Sequence, residues 1–556
     1  MGKLYSSIIN SRISQFCEGN TLFSDEQNGF RPKRSCEDHI FVLSSVLQNR
    51  MSDNVQTFCA FVDMQKAFDW VDRDILFYIL LKYGIRGKIY KCIKLLYANP
   101  KACVKVNNFV TEWFDITSGV RQGDPLSPTL FCILINELIE EVKQLQLGVF
   151  VKDRRLSILA FADDIVLIGR DESELAILLR QVEMWCRKYR LMVNTEKTKI
   201  VHFRRKRKDR SCHVFKFNDQ NLEYVSNYKY LGVTMHEHME FKVNAEILAG
   251  SAGRALGGVL SKFKTLKNVG FRTFEKMYYT SVVPIMDYSC GVWGYNCHQE
   301  LEKIQQRAIR YYLGVHSKAA LLALEGDIGW KNCKIRQNVN MIRLWNKLLL
   351  MDESRLTRNV FDWDYENQKG WCLQVKELFI SIGLLDVYLE KRNCDLRLVE
   401  SRLFETRQNQ WREMLITKPK LRTYRLFKNV INTENYVYIK NRKKRSLLAQ
   451  LRLGILPLNI EMGRFRNIPV EERICELCDC GMVEDEKHFL CICTLYEEYR
   501  DDMYCAIENE NFPTMSVDAK FNYLMENECN KVSSFLCQAW EKRKQIIYNS
   551  EQLNVT

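Results

Sequence analysis

The fold of this chain is decided by the stretch Leu156-Ser157-Ile158-Leu159-Ala160-Phe161-Ala162-Asp163-Asp164-Ile165-Val166-Leu167-Ile168. Two apolar runs flank two adjacent carboxylates, a pattern that predicts a β-hairpin with Asp163 and Asp164 at its tip. Two like charges beside a core are costly unless positive charge meets them. A lone Asp-Asp pair is more often a polar turn, so a functional interpretation needs a second feature.

A third carboxylate provides that feature. Residues 58–62 form an apolar run that predicts a strand, and this run ends at Asp63. Three carboxylates at two strand ends suit a pair of hard divalent cations, which take oxygen ligands. A two-metal site of this kind serves in-line phosphoryl displacement.

Composition restricts the class of protein. The chain has 556 residues, of which 46% are hydrophobic and 12% aromatic, which predicts several folded domains. The formal charge of +14 indicates an anionic partner, most commonly nucleic acid. The 21 cysteines have no repeating spacing, and the sequence does not open with the charged and then apolar pattern of a secretory signal peptide. Both features favour reduced thiols inside the cell. The apolar stretches are too short and too polar to predict a membrane span.

Several motifs follow one another in a familiar order. They are Gln27-Asn28-Gly29-Phe30-Arg31, Phe61-Val62-Asp63 with Lys66-Ala67-Phe68-Asp69, Arg121-Gln122-Gly123-Asp124-Pro125-Leu126-Ser127-Pro128, Phe161-Ala162-Asp163-Asp164, and Asn194 with Lys197 and Tyr230-Leu231-Gly232. In this order they closely resemble the palm of a reverse transcriptase. The residues of the first motif and of the Phe-Ala-Asp-Asp motif resemble those of the non-LTR (LINE-type) retrotransposon branch of this family. The resemblance spans residues 4 to 235.

The resemblance implies a catalytic role for the three carboxylates. Asp63 and Asp163 would bind two catalytic Mg²⁺ ions, and Asp164 would support the cluster. The metals would lower the pKa of the primer 3′-hydroxyl and neutralise the triphosphate.

The resemblance also implies substrate contacts. The bulk of Phe68 would exclude a 2′-hydroxyl from the nucleotide pocket, although an ordinary core aromatic is the alternative. Lys197 would lie near the triphosphate, with a solvated surface lysine as the alternative. The implied nucleotide-binding set is Phe68, Gln122, Gly123, Lys197 and Arg31, and the implied primer grip is Tyr230, Leu231 and Gly232.

Two basic runs lie outside these motifs. Residues 204–210 hold six basic residues in seven, and residues 442–445 are all basic. Either run would suit phosphate contact or nuclear import, with a solvated loop as the alternative.

A second site is predicted near the C-terminus. Cys475 and Cys478 have CxxC spacing, and His488 and Cys493 follow, an order that suits tetrahedral Zn²⁺ in a reducing compartment. The segment resembles the zinc-binding end of LINE-type reverse transcriptases. Cys480 and Cys491 are alternative ligands, and unliganded thiols are the simpler possibility. The predicted zinc is structural because no coordination position is left open.

Together these features predict an α+β fold of the right-hand polymerase type. Fingers and palm with an antiparallel sheet would occupy residues 1–235, a helical thumb 236–330, a helical connector 331–445 and a zinc-binding domain 446–556. The implied function is an RNA-directed DNA polymerase of a LINE-type retroelement that performs target-primed reverse transcription. Its partners would be an RNA template, a DNA primer and deoxynucleoside triphosphates, in the nucleus and cytoplasm and not at a membrane.

Other functions fit these features less well. A catalytically inert nucleic-acid-binding remnant is disfavoured because all three carboxylates are present. An intron maturase or a telomerase-like enzyme is disfavoured by the zinc segment and the Phe-Ala-Asp-Asp wording. We also expect neither an endonuclease nor an RNase H domain in this chain. A basic finger hairpin upstream of the predicted helix at residues 4–13 is expected to be missing, which would weaken nucleotide binding.

Overall fold

The computed structural model describes residues 2–266 and 269–553, with side chains up to residue 547. The chain forms two compact units. Unit 1 comprises Met1–Asn244, Tyr288–Tyr295 and Asn340–Cys394, and unit 2 comprises Ala245–Asp287, Asn296–Val339 and Asp395–Thr556.

The strands are numbered in chain order. They are β1 (Thr57–Asp63), β2 (Lys101–Ala102), β3 (Lys105–Val106), β4 (Phe109–Val110), β5 (Phe114–Asp115), β6 (Val149–Val151), β7 (Arg154–Leu156), β8 (Ile158–Phe161), β9 (Asp164–Gly169), β10 (Lys199–Phe203), β11 (Lys216–Phe217), β12 (Gln220–Asn221), β13 (Glu223–Tyr224), β14 (Asn227–Tyr230) and β15 (Val233–His236).

The helices are numbered in the same way. They are α1 (Gly2–Gly19), α2 (Cys36–Ser52), α3 (Arg73–Lys82), α4 (Gly87–Leu96), α5 (Ser127–Gln144), α6 (Glu172–Tyr189), α7 (Lys242–Thr265), α8 (Phe271–Ser281), α9 (Val283–Met286), α10 (Cys290–Trp293), α11 (Gln299–Leu313), α12 (Leu321–Ile328), α13 (Cys333–Leu349), α14 (Leu356–Asn367), α15 (Trp371–Ser381), α16 (Leu385–Leu389), α17 (Leu396–Ile416), α18 (Tyr424–Phe427), α19 (Arg442–Arg452), α20 (Asn459–Phe465), α21 (Glu497–Cys505), α22 (Val517–Asn527) and α23 (Cys529–Leu553).

A five-stranded sheet forms the centre of unit 1. Its strand order is β13-β10-β1-β9-β8, with β1 antiparallel to both of its neighbours. Residues 57–62 of β1 are all buried, as expected for a central strand covered on both faces. The predicted strand at residues 58–62 and the predicted hairpin around the Asp-Asp pair are therefore confirmed.

Helices α5 and α6 bury their apolar faces in the same core as this sheet. Helix α5 begins with Pro128 in its first turn, where the missing N–H of proline is harmless. Helix α6 begins at Asp171, whose carboxylate accepts a hydrogen bond from the backbone N–H of Glu174, the usual device for capping a helix start.

Residues 340–394 belong to unit 1, although they are far from the sheet in sequence. Trp371 of α15 is fully buried, and its ring meets Phe41 of α2 edge to face at 5.2 Å. The indole N–H of Trp371 donates to the carbonyl of Gly291 at 2.8 Å. The predicted connector at residues 331–445 is thus divided between the two units, because its apolar helices pack against different partners. The thumb and connector labels stay predictions.

Unit 2 is built from helices around a fully buried ion pair. The Asp327 carboxylate at the end of α12 accepts hydrogen bonds from Arg452 of α19 at 3.1 and 3.2 Å. The hydroxyls of Tyr424 and Tyr436 donate to the same carboxylate at 2.9 and 2.8 Å. These donors satisfy one buried carboxylate, which stabilises the junction of three segments.

Within the described part of the chain, every helix is too short or too polar to cross a lipid bilayer.

Candidate active site and metal centre

The strand register brings the three predicted carboxylates to one edge of the central sheet. Asp63, the last residue of β1, lies directly opposite Asp164, the first residue of β9. Phe161 pairs with Asp164, so Ala162 and Asp163 form the two-residue turn of the β8–β9 hairpin. Ala162 takes a left-handed conformation with φ 57°, which is costly for a residue with a Cβ atom.

The carboxylates repel one another. Burial, opposed by a backbone hydrogen bond and reinforced by the charge of Asp63, raises the pKa of Asp163. Burial and then the charges of Asp163 and Asp63 raise the pKa of Asp164 to about 6. Among the described residues, no cationic side chain forms an ion pair with any of the three. The edge therefore carries negative charge that a cation would neutralise.

The Gln27 side chain holds the turn that carries Asp163. Its amide oxygen accepts hydrogen bonds from the backbone N–H of Ala162 at 3.1 Å and of Gly29 at 2.8 Å. Gly29 lies so close to the turn that an added Cβ would be 2.3 Å from the nitrogen of Ala162. Gln27 and Gly29, which belong to the first sequence motif, thus support the strained turn. This role is not evident from the sequence of the motif.

A second support fixes the end of β1. The hydroxyl of Thr198 accepts from the Asp63 backbone N–H at 3.2 Å, and the N–H of Asn194 donates to the Asp63 carbonyl at 2.8 Å. The N–H of Lys197 in turn donates to the Asn194 side chain at 3.2 Å. Asn194 therefore positions Asp63, whereas the side chain of Lys197 is exposed.

The predicted nucleotide pocket lies beside the same strand. Phe68 is half-buried and stacks on Phe131 of α5, with ring centres 4.8 Å apart. The side-chain amide of Gln122 donates to the carboxylate of Asp69 at 2.8 Å. Gly123 has φ 77° and open space where a Cβ would lie. The structure thus connects the Gln122 loop to Asp69, the residue that follows Phe68.

Arg31 has a different environment from the one predicted. Its guanidinium forms a two-pronged ion pair with Glu18 at 2.8 and 2.9 Å and also donates to the carbonyls of Ser24 and Gln27. Only 7% of the side chain is exposed. These contacts give Arg31 a structural role, and its contact with a nucleotide stays a prediction.

The predicted primer grip is the turn of the β14–β15 hairpin. Leu231 and Gly232 occupy the two turn positions, both with positive φ, as a tight hairpin requires. The hydroxyl of Tyr288 donates to the Leu231 carbonyl at 2.9 Å, and an added Cβ on Gly232 would be 2.7 Å from the Tyr288 ring. Tyr288 therefore fixes this turn, and no sequence motif pointed to it.

Aromatic packing connects this hairpin to the carboxylates. Tyr228 of β14 stacks on Phe61 of β1 at 4.2 Å, and Tyr230 is fully buried beside the same ring. Burial and the charges of Asp164 and Asp63 raise the pKa of Tyr228 to about 12. The predicted grip and the acidic edge thus share one rigid support.

The predicted zinc ligands form a second cluster. The ligand atoms of Cys475, Cys478, His488 and Cys493 all lie within 4.8 Å of one another. Cys478 Sγ is 3.4 Å from His488 Nε2. The structure brings together the predicted set, and Cys480 and Cys491 lie outside it.

Local backbone structure positions these ligands. An antiparallel bridge pairs Ile474 with Val483, and the Cys475 N–H donates to the Met482 carbonyl at 2.9 Å. A π-helical turn runs over His488–Ile492 and closes with a hydrogen bond from the Cys493 N–H to the His488 carbonyl. A buried ion pair between Glu484 and Arg543 of α23 secures the segment to a long helix.

The two basic runs are engaged within the protein. Arg204 is buried and pairs with Glu237 at 2.7 Å. The other contacts of this run are those of Arg205 with the Met51 and Ser52 carbonyls, Lys206 with Glu240, Lys208 with the Asn54 carbonyl and Arg210 with Glu237. Residues 443–445 are bound in the same way to Glu541, Ser534 and the carbonyls of Tyr312 and Ile439. The geometry therefore favours a structural role for both runs, an alternative that the sequence did not suggest.

Comparison with known proteins assigns the first part of the chain. Residues 1–235 match the reverse transcriptase (RNA-dependent DNA polymerase) family. A probable RNA-directed DNA polymerase from transposon BS of Drosophila melanogaster is 24% identical over 320 residues, which are 56% of this chain and 35% of that protein. The RNA-directed DNA polymerase from the D. melanogaster mobile element jockey is 21% identical over 311 residues, 55% of this chain and 33% of that protein.

Two further similarities are weaker or shorter. The Pol polyprotein of the type-2 retrotransposable element R2DM of D. melanogaster is 25% identical over 232 residues, 40% of this chain and 22% of that protein. A solved telomerase structure from Candida albicans aligns with 69% of this chain and 56% of its own length, at 10% identity and a TM-score of 0.33. The chain spans about a third or less of the length of the three transposon relatives.

Residues 1–235 thus match the reverse transcriptase family and hold three carboxylates at one edge of the central sheet. This region is similar to the RNA-directed DNA polymerases of non-LTR retrotransposons, and the predicted resemblance is confirmed.

Proposed function

We propose that this chain is an RNA-directed DNA polymerase of a LINE-type retroelement. The observation that carries the proposal is the register that places Asp63 opposite Asp164, beside the turn residue Asp163, with no compensating cation among the described residues. Three carboxylates without a cationic partner are what a site for two divalent ions requires. The family match of residues 1–235 supports the reaction class.

The donor set fits Mg²⁺, because all candidate ligands are carboxylate oxygens whose charge is uncompensated. Asp63 and Asp163 would hold the two ions, with Asp164 beside them. When bound, the ions would supply a lowered pKa at the primer 3′-hydroxyl and neutralise the triphosphate.

The remaining roles belong to the protein's own side chains. Gln27 and Asn194 keep the two carboxylate-bearing backbone segments in place. The Phe68 ring, held by Phe131, would limit space at the 2′ position of the incoming sugar. The Leu231–Gly232 turn, fixed by Tyr288, would hold the primer end.

Within this polymerase, residues 1–235 would supply fingers and palm, residues 236–330 a helical thumb and residues 331–445 a helical connector. The Cys475, Cys478, His488 and Cys493 cluster has the soft and borderline donors that Zn²⁺ prefers, and four protein ligands would make it a closed, structural site.

The substrates follow from the reaction. We propose that the substrates are an RNA template, a DNA primer and deoxynucleoside triphosphates, and that Lys197 contacts the triphosphate. Synthesis would be target-primed, starting from a nicked chromosomal end. The 21 cysteines of the chain are compatible with the reducing nucleus and cytoplasm, where such synthesis would occur.

Primer extension on an RNA template tests the proposal. The full chain should incorporate deoxynucleotides with Mg²⁺, and Asp163→Asn should lower the rate by about two orders of magnitude or more. Asp153→Asn is the matched control, since Asp153 is an exposed aspartate between the neighbouring strands β6 and β7. Undiminished synthesis by Asp163→Asn would contradict the proposed catalytic role of Asp163. An inactive parent that still binds RNA would favour the inert remnant instead.

A further inference from the structure

The hairpin formed by β2 to β5 presents large aromatic side chains to solvent. Phe109 is 85% exposed, Trp113 67% and Phe114 50%. The strands pair over Lys101–Asp115, and the tip is a turn at Asn107-Asn108, with Asn107 at φ 53°. Exposed aromatic clusters on a protein surface mark interaction sites, and a two-stranded hairpin in water is only marginally stable alone.

The same surface segment is strongly basic. Residues 86–115 contain six basic and two acidic residues, whereas the whole chain carries +14 over 556 residues. Lys88, Lys91 and Lys94 recur every three residues along α4, where they share one exposed side of the helix. Within the described chain these three lysines form no ion pair, and Lys101 has only a loose contact of 3.8 Å with Asp115. Their charge remains available to an anionic partner.

The base of the hairpin is anchored beside the candidate active site. Arg73 at the start of α3 donates to the carbonyls of Ile116, Ser118 and Gly119. The Gly119 N–H donates to the Val71 carbonyl at 2.8 Å, and the hydroxyl of Ser118 to the Asp69 carbonyl at 3.1 Å. The chain therefore passes from the aromatic hairpin directly into the loop that contains Gln122 and Gly123.

Two kinds of occupant are compatible with an exposed aromatic patch. A protein partner or a second copy would require mainly apolar area, with few charges at the centre of the contact. A single-stranded nucleic acid would require rings on which bases stack and cations along its backbone. The unpaired lysines and the continuity with the Gln122 loop favour the nucleic acid.

We infer that the aromatic hairpin and the exposed lysines of α4 form a binding surface for single-stranded polynucleotide. Phe109 and Trp113 stack on unpaired bases, and Lys91 and Lys94 contact the phosphates. Under the proposed function this strand is the template approaching the active site, so that part of the inference rests on the proposed function. Single-strand binding itself does not.

The test distinguishes base stacking on the aromatic rings from a general contribution of apolar surface to binding. Fluorescence anisotropy of the full chain with labelled rU16, dT16 and a duplex of equal length should show preference for the single strands. The variant Phe109→Leu with Trp113→Leu keeps apolar side chains but removes both rings, and its affinity for rU16 should fall about tenfold or more. Phe109→Tyr with Trp113→Phe keeps the rings and should bind like the parent. Tyr78→Leu, at an aromatic residue 70% exposed on α3, is the off-patch control.

The lysines are tested through salt dependence. Lys91→Gln with Lys94→Gln should reduce the slope of log affinity against log salt by about 0.7 for each lysine that binds a phosphate of the single strand. Equal affinity of the leucine and ring-retaining variants for rU16 would overturn the inference. It would also be overturned if the leucine variant lost self-association in sedimentation while its binding to rU16 stayed unchanged.

The combined outcomes distinguish this inference from the proposed function. If the parent extends no primer but the leucine variant still shows weakened rU16 binding, the proposed function fails and this surface stands. If the parent extends primers and the leucine variant binds rU16 normally, the reverse holds.

Discussion

The two candidate metal sites of this molecule are built in opposite ways. The carboxylates of unit 1 are brought to one edge by strand register, and burial together with their like charges raises the pKa of Asp164 to about 6. The Cys/His cluster of unit 2 converges in a short loop, with all four ligand atoms within 4.8 Å. The first arrangement holds repelling charges on a rigid support, whereas the second is a closed ligand set. For this reason the first suits chemistry and the second suits folding.

A third cluster makes this contrast more specific. Asp327 in unit 2 carries the same carboxylate as Asp163 but is fully buried and satisfied by Arg452, Tyr424 and Tyr436. Burial alone therefore does not make a carboxylate a functional candidate. The decisive property of Asp163 is that its charge has no cationic partner among the described residues.

Removal of zinc should produce the greatest change. The full chain purified under reducing conditions should contain one zinc, and Cys493→Ser should remove it, because a structural site depends on its complete ligand set. Mass spectrometric metal analysis measures the content, and thermal unfolding should show a destabilised transition. Cys491→Ser and Cys480→Ser are the matched controls and should keep the metal. Retention in Cys493→Ser with loss in Cys491→Ser would show that the ligand set is wrong.

The next effect concerns stability alone. Asp327→Asn removes one of the two carboxylates paired with the buried Arg452, the other being Glu434 at 3.1 Å, and should cost about 3 kcal/mol in the free energy of unfolding. Denaturant unfolding measures the change. Glu541→Gln, which breaks the exposed pair with Lys443, should leave the unfolding midpoint nearly unchanged, because solvent screens this pair. If the two variants unfold alike, the buried cluster does not stabilise unit 2 as the geometry indicates.

Loss of the Gln27 side-chain oxygen should affect both stability and the reaction rate. Gln27→Leu removes the acceptor of two buried N–H groups, which should cost about 1–3 kcal/mol for each donor left unpaired and displace the Asp163 turn. The primer-extension rate should fall about tenfold, since a small misplacement of a reacting group is costly. The nucleotide KM should change little, and Gln146→Leu at an exposed position serves as control. Gln27→Glu restores the acceptor and should recover turn stability. A parental rate in Gln27→Leu would mean that the turn holds itself.

The sequence was sufficient where a short-range pattern determines the geometry. Apolar runs on either side of Asp163 and before Asp63 predict strands, and strand ends then bring carboxylates together. Ligand spacing likewise predicted which three cysteines and one histidine come together near the C-terminus. It was insufficient where a role depends on contacts between distant residues. The support of Ala162 by Gln27 spans 135 residues, and that of Leu231 by Tyr288 spans 57.

The same limit applies to the contacts that basic side chains make within the protein. Arg31 stands in a basic turn, but the sequence does not show that Glu18 and two carbonyls satisfy its guanidinium. The 204–210 run has the composition of a phosphate-binding loop, yet its side chains mostly bind neighbouring carbonyls and carboxylates. Composition identifies charge but not whether that charge is already paired.

The pH dependence of stability that arises from Asp164 at the acidic edge should be the weakest effect. The folded-state pKa of Asp164 is raised to about 6, above the ordinary value of 3.8. A raised carboxyl pKa means that the folded state binds the proton more tightly than the unfolded state between these values. Stability contributed by the protonated form is therefore lost as pH rises from about 4 to 6, and the repulsion is fully present above about 6. Thermal unfolding of the parent and of Asp164→Asn, compared across this window, isolates the effect from other buried acids.

The same titration should appear in the Mg²⁺ requirement of the reaction. Under the proposed function magnesium would bind the ionised carboxylates, so the concentration that gives half the maximal extension rate should rise as pH falls below about 6. It should level off above neutral pH, where the carboxylates are ionised. Asp153→Asn should follow the parent curve, because this exposed residue lies in a different turn. A magnesium requirement that stays constant from about pH 5 to 8 would mean that another group compensates the charge of Asp163 and Asp164. The contrast between this uncompensated edge and the paired carboxylate of Asp327 would then be wrong.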